Sequence, residues 1–167
     1  SSTKPVEADL IVGHVGASYA ADWFTLYPSD QWYASYLTPV GSASGNPTYA
    51  YIYNPNPTNV TVSYNTIVSS GSFTVSNGSS YQFQMPVNSG ARFACTNGAK
   101  IIVLSTVGAN PMSDTAYNWG FTPLPDTELT TEAVVGWGAG SSDGTVNGSP
   151  VWVTATYFRM GAARPCP

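Results

Sequence analysis

The chain has 167 residues, a mass of 17.6 kDa, 43% hydrophobic and 13% aromatic residues, so it can bury one sizeable core and is not a disordered polymer. Only 8% of residues are charged, and Ser, Thr and Asn make up 49 of the 167, so the polarity is almost entirely uncharged. Five basic against nine acidic residues give a net charge of −4, which argues against a nucleic-acid partner or an anionic membrane surface, and no apolar run is long enough to span a bilayer.

No apolar period of 3.6 residues persists over a helix-length window, whereas short β-rich runs recur between Gly, Pro, Asn and Ser clusters. In chain order the expected strands are 9–15, 23–27, 31–37, 48–53, 59–68, 71–75, 80–85, 91–96, 100–105, 117–124, 132–137 and 151–159. Val60, Val62 and Tyr64 alternate with Thr61, Ser63 and Asn65, and Tyr81, Phe83 and Met85 alternate with Gln82 and Gln84. Tyr117, Trp119 and Phe121 do the same against Asn118 and Gly120. A period of two is what a half-buried antiparallel strand requires. The continuous run Ile101-Ile102-Val103-Leu104 reads instead as a central strand covered on both sides. The expected fold is all-β, an antiparallel β-sandwich or jelly roll of roughly ten to twelve short strands.

Residues 1–15 form either the first strand of a single domain spanning 16–167 or an extension donated to a neighbour's sheet. Leu10, Ile11 and Val12 would then be the assembly strand, with Leu10 and Val12 filling pockets in the acceptor. The chain opens at Ser1 without an initiator Met, as expected of a mature end left by signal-peptide removal. Cys95 and Cys166 are the two cysteines. In an oxidising compartment they would close a loop of about 70 residues and contribute roughly 4 kcal/mol; pairing with another subunit and free thiols are the alternatives. Asn59, Asn77 and Asn147 open the sequons Asn-Val-Thr, Asn-Gly-Ser and Asn-Gly-Ser, although such triplets also arise by chance in a chain of this composition. Together these features point outside the cell.

Catalytic chemistry lacks its materials. The one histidine, His14, sits inside an expected strand, and the cysteines are too far apart for zinc or redox spacing. Ser1-Ser2-Thr3-Lys4 matches Ser-x-x-Lys without companion motifs, and Ala43 stands where a nucleophile elbow needs serine. Leu124-Pro125-Asp126-Thr127-Glu128 fails as a sorting signal because Glu128 replaces glycine. Asp126, Glu128 and Glu132 are expected to be solvated loop acids; neither calcium spacing nor a convincing glycosidase pair is present, so no cofactor and no enzyme are expected, with calcium the weaker alternative. Trp23, Tyr27, Trp32, Tyr33 and Tyr36 crowd one segment and could form an aromatic contact surface, against the competing reading as core or interface.

The pieces Ala50-Tyr51-Ile52-Tyr53-Asn54-Pro55-Asn56-Pro57-Thr58-Asn59-Val60-Thr61-Val62, Asn88-Ser89-Gly90-Ala91-Arg92-Phe93 and Leu104-Ser105-Thr106-Val107-Gly108-Ala109-Asn110 carry a resemblance. With Tyr117–Phe121, Leu129–Gly138 and Gly148–Thr154, they resemble β-rich domains of large bacterial surface proteins, the N-terminal-type domain of IgGFc-binding proteins. The likeness spans about residues 49–154. It implies an extracellular β domain with a structural or adhesive role and transfers no catalytic residue and no immunoglobulin binding. Such domains sit inside longer proteins. A chain ending at Arg164-Pro165-Cys166-Pro167 with a spare first strand is expected to be a repeating subunit. The leading expectation is therefore a secreted bacterial structural protein whose partners are copies of itself, forming a filament or surface layer. The alternative is a cell-surface adhesin module that binds surface glycans or a host protein through its aromatic segment.

Overall fold

A computed structural model describes residues 4, 6–13, 21–42, 47–107 and 119–132. Ten strands are present among them: β1 (Asp9–Gly13), β2 (Ala21–Thr25), β3 (Ser35–Thr38), β4 (Tyr49–Tyr53), β5 (Val60–Thr66), β6 (Ser70–Val75), β7 (Ser80–Gln84), β8 (Ala91–Cys95), β9 (Ile102–Val107) and β10 (Trp119–Phe121). They form two four-stranded antiparallel sheets, ordered β10-β9-β4-β7 and β3-β8-β5-β6, and a separate β1-β2 hairpin. The fold is the all-β architecture that the alternating runs predict.

Alternation decides what each sheet buries. On β5, Val60 and Val62 are buried and Tyr64 is half-buried, while Thr61 and Asn65 face water. On β4, Ala50 and Ile52 lie in the core between the more exposed Tyr49, Tyr51 and Tyr53. These inner faces meet with Phe93, Cys95, Ile101, Val103 and Met85 in one apolar cluster. Burying a side chain the size of Ile52 contributes about 2 to 3 kcal/mol. Ile101, Ile102 and Val103 are all buried, the first bridged to Tyr33 and the other two paired with β4. An aromatic chain bridges the sheets: Phe73 stacks on Tyr81 with centroids 4.0 Å apart, and Phe83 meets Phe93 edge-on at 5.1 Å.

Several expected boundaries move, each for a local reason. The run 31–37 does not form one strand. Pro28 opens a 3-10 turn over Ser29–Gln31, Tyr33 makes a single bridge to Ile101, and β3 begins only at Ser35. The run 59–68 stops at Thr66, because its hydroxyl accepts from Val68 N and Ser69 N and donates to Ser69 O, closing a tight turn. The run 100–105 shifts to 102–107. The strand expected over 117–124 is present at 119–121; Pro123 and Pro125 lack the amide needed to extend it. Glu132 belongs to no strand. The remainder of 132–137, all of 151–159 and His14 lie outside the described residues.

Buried polar side chains fix the loops. Asn54 is fully buried at the end of β4; its Nδ2 donates to Thr58 O, Val75 O and Ser76 O, and its Oδ1 accepts from Asn56 N and Nδ2. Ser42 Oγ donates to Met85 O and accepts from Thr48 N, tying the entry of β4 to the exit of β7.

Candidate functional site

Three surfaces could carry function: the β1-β2 hairpin, the flank formed by β6 and β7, and a cleft beside β3.

In the hairpin, Leu10 pairs with Phe24, Ile11 with Trp23 and Val12 with Asp22. Phe24 is 2% exposed and seats against Gly120 of β10. A Cβ at Gly120 would lie 2.3 Å from the Phe24 ring, so glycine is required for this approach. Thr122 Oγ1 donates to Thr25 O and Leu26 N to Ala8 O, securing the hairpin further. Leu10 lies on the Phe24 side and is 37% exposed. The outward pair is Ile11 with Trp23, 58% and 63% exposed. The expected assembly strand thus pairs within its own chain here, and Ile11 is more exposed than Leu10.

The two flanks of the sandwich differ. At one, β10 packs against β2, and β3 is bridged by Pro125, so both outer strands are covered. At the other, β6 and β7 close the two sheets with no further strand beside them among the described residues. Neither Ser70–Val75 nor Ser80–Gln84 contains a charged residue or a proline. Edge strands ordinarily carry such residues to block pairing with another chain.

The aromatic segment is divided by the fold. Trp23 stands on the hairpin, whereas Trp32 is half-buried with its Nε1 donating to Tyr27 O at 2.9 Å. Tyr36 is not a surface residue: it is 1% exposed, its hydroxyl donates to Ile101 O at 3.0 Å and accepts from Tyr33 N at 3.1 Å. Burial is the main cause that pushes its phenol upward, opposed by the Tyr33 hydrogen bond. Tyr36 joins β3 to the residue just before β9 across the sandwich, which explains why a large aromatic there went to the core. Tyr27 and Tyr33 line a cleft of about 360 Å³ with Gln31, Leu124, Pro125 and Glu128. Tyr33 Oη donates to Glu128 Oε1 at 3.3 Å.

The acidic segment separates as well. Asp126 Oδ2 accepts from Arg92 Nε at 2.5 Å and Ser35 Oγ at 2.7 Å, while its buried Oδ1 has no partner among the described residues. Glu128 faces the cleft instead, and no group of three potential metal ligands occurs among the described residues. Cys95 is a buried free thiol, and burial pushes its ionisation upward, which suppresses the nucleophilic thiolate. Cys166 lies outside the described residues, as does Asn147. Asn59 and Asn77 are exposed neighbours at one end of the sandwich, with Asn77 N donating to Asn59 Oδ1.

Sequence reading alone misses the cleft, because Gln31 and Glu128 are nearly a hundred positions apart. It also misses Asn54, for which the Asn-Pro-Asn-Pro run was the available signal. No helix among the described residues is long and apolar enough to cross a membrane. Comparison of the chain with protein-family models, with characterised proteins and with solved structures finds no match.

Proposed function

We propose that this protein is a subunit of an extracellular bacterial assembly in which copies join through exposed strand edges. The observation that carries this reading is the β6/β7 flank, where two strands that are adjacent edges among the described residues lack charge and proline while the opposite flank is covered. An edge of unpaired amides and carbonyls templates an added strand. The hairpin's β1, with Ile11 and Trp23 exposed beside it, is the strand offered to that edge. Joining β1 of one copy to the flank of the next is a head-to-tail contact, which propagates into a filament or layer unless its rotation closes a ring. Low charge limits repulsion between copies. The resemblance to surface-protein domains supports the same extracellular, non-enzymatic role.

The test places lysine on the flank, at Thr74 of β6 and Gln82 of β7, both exposed. Electron microscopy and light scattering should show regular assemblies of the parent chain and monomers of Thr74→Lys/Gln82→Lys with unchanged circular dichroism. Assemblies that persist in the double variant would sink the flank mechanism. A parent chain that stays monomeric at every concentration but is retained on immobilised glycans would establish the adhesin alternative.

A further inference from the structure

We propose that the cleft between Tyr27, Gln31, Tyr33, Leu124, Pro125 and Glu128 binds a substituted ammonium group, a cation carrying methyl or methylene carbons. Its volume, about 360 Å³, falls within the range of small-ligand sites. Among the described residues its walls combine two phenol rings, two apolar side chains, one amide and one carboxylate, with no lysine or arginine. A cation over an aromatic face is attracted by the ring's negative π surface, and the carbons around a substituted nitrogen gain from contact with Leu124 and Pro125.

The carboxylate is placed for this task. Glu128 forms no ion pair among the described residues, whereas the nearby Asp126 is neutralised by Arg92. Tyr33 Oη holds Glu128 Oε1, which orients the carboxylate at the cleft while keeping the Tyr33 ring in the wall. The backbone supports that arrangement from both sides. Tyr33 N donates to Tyr36 Oη and Ile101 N to Tyr33 O, while the turn at Asp126–Glu128 is closed by Glu128 N donating to Pro125 O. Lys100 Nζ is held by Asp30 O and is not a cleft residue. An anion would meet Glu128 without compensation, and a neutral saccharide could hydrogen-bond the carboxylate but would leave its charge unneutralised. This site lies beside β3, on the covered flank, and does not depend on the assembly proposed for β6 and β7.

Choline is the probe, its uncharged carbon isostere dimethylbutanol the control for shape, and methyl glucoside the control for a saccharide site. Amide resonances of Gln31, Tyr33 and Glu128 are followed by NMR during titration of the full chain. Choline should shift them saturably, dimethylbutanol should bind at least about fivefold more weakly, and raising salt should weaken choline alone. Glu128→Gln, an exposed substitution that leaves the fold intact, should lower choline affinity about fivefold, whereas Tyr33→Phe should retain most of it because the ring remains. Absence of choline-induced shifts, equal binding of the isostere, or undiminished affinity in Glu128→Gln each overturns the proposal. Saturable binding of methyl glucoside without choline binding overturns it in favour of a saccharide site.

Discussion

Replacing Asn54 by alanine should be among the most damaging single substitutions in the chain. The side chain is 0% exposed; its two Nδ2 hydrogens are shared among three carbonyl oxygens and its Oδ1 accepts two hydrogen bonds. Those bonds connect the end of β4, the loop to β5 and the turn after β6, elements separated by up to 22 positions. Alanine leaves Val75 O and Thr58 O without that donor and Asn56 N without its acceptor. Loop carbonyls near the surface will recover water, but Val75 O is buried and will not. Losing the roughly four bonds that this buried side chain holds at once, at about 1 kcal/mol each, gives about 3 to 5 kcal/mol. For a domain of this size that corresponds to a fall in Tm of about 10 °C or more. Denaturant unfolding followed by tryptophan fluorescence measures the difference directly, with Asn65→Ala on exposed β5 expected to change stability by less than about 0.5 kcal/mol. A cost at Asn54 no larger than at Asn65 would refute the view that this side chain joins three segments.

Two further substitutions probe other parts of the fold. Gly120→Ala places a methyl group against the Phe24 ring and should lift the hairpin at a cost of about 1 to 3 kcal/mol, seen as faster proteolysis between residues 6 and 25 with the sandwich intact; unchanged cleavage would show that the ring can move aside freely. For Cys95, burial raises the folded thiol above its ordinary 9.0, so the neutral form is favoured in the fold. Its contribution is complete below pH 9.0, where the unfolded thiol is also protonated, and is lost as pH rises through the higher folded value. The difference in unfolding free energy between parent and Cys95→Val should therefore shift against the parent only above about pH 9, and a shift centred near neutrality would contradict the burial argument.

The fold was legible where alternation is strict. Val60-Thr61-Val62-Ser63-Tyr64 can bury only one face, and it pairs on both sides as a central strand, β5 between β6 and β8. Boundaries were less legible because hydroxyl chemistry sets them: Thr66 ends β5 by bonding its own turn, and a threonine in a chain with 18 of them gives no warning of which one will do so. Strand order was unreadable for a different reason. β4 lies between β9 and β7, neither adjacent in sequence, so its pairing depends on long-range packing that no local pattern encodes. The same holds for the cleft, whose aromatic wall comes from residues 27–33 and whose carboxylate comes from residue 128. Clustering of aromatics drew attention to the correct segment, but periodicity could not separate Tyr36, which spans the core, from Tyr33, which lines the cleft.

The motif most distinctive in the sequence is employed in folding rather than in recognition. Asn54-Pro55-Asn56-Pro57 directs its polar atoms inward, and Asn56 Nδ2 also donates to Lys100 O, binding the loop to the approach to β9. Ser89 in Asn88–Phe93 likewise accepts from Ile67 N and donates to Gly90 O. Motifs of this kind preserve a sandwich whatever it is used for, so a likeness built on them speaks to architecture and leaves specificity open. The surfaces argued to act lie largely elsewhere. Ile11, Trp23, Tyr27, Gln31 and Tyr33 all precede residue 49, and the β6/β7 flank, without a further strand among the described residues, owes its character to the lack of charges and prolines in β6 and β7. A variant substituted only at Ile11, Trp23, Tyr27, Gln31 and Tyr33 would accordingly be expected to keep the sandwich core of β4–β9 while altering both the offered strand and the aromatic wall of the cleft.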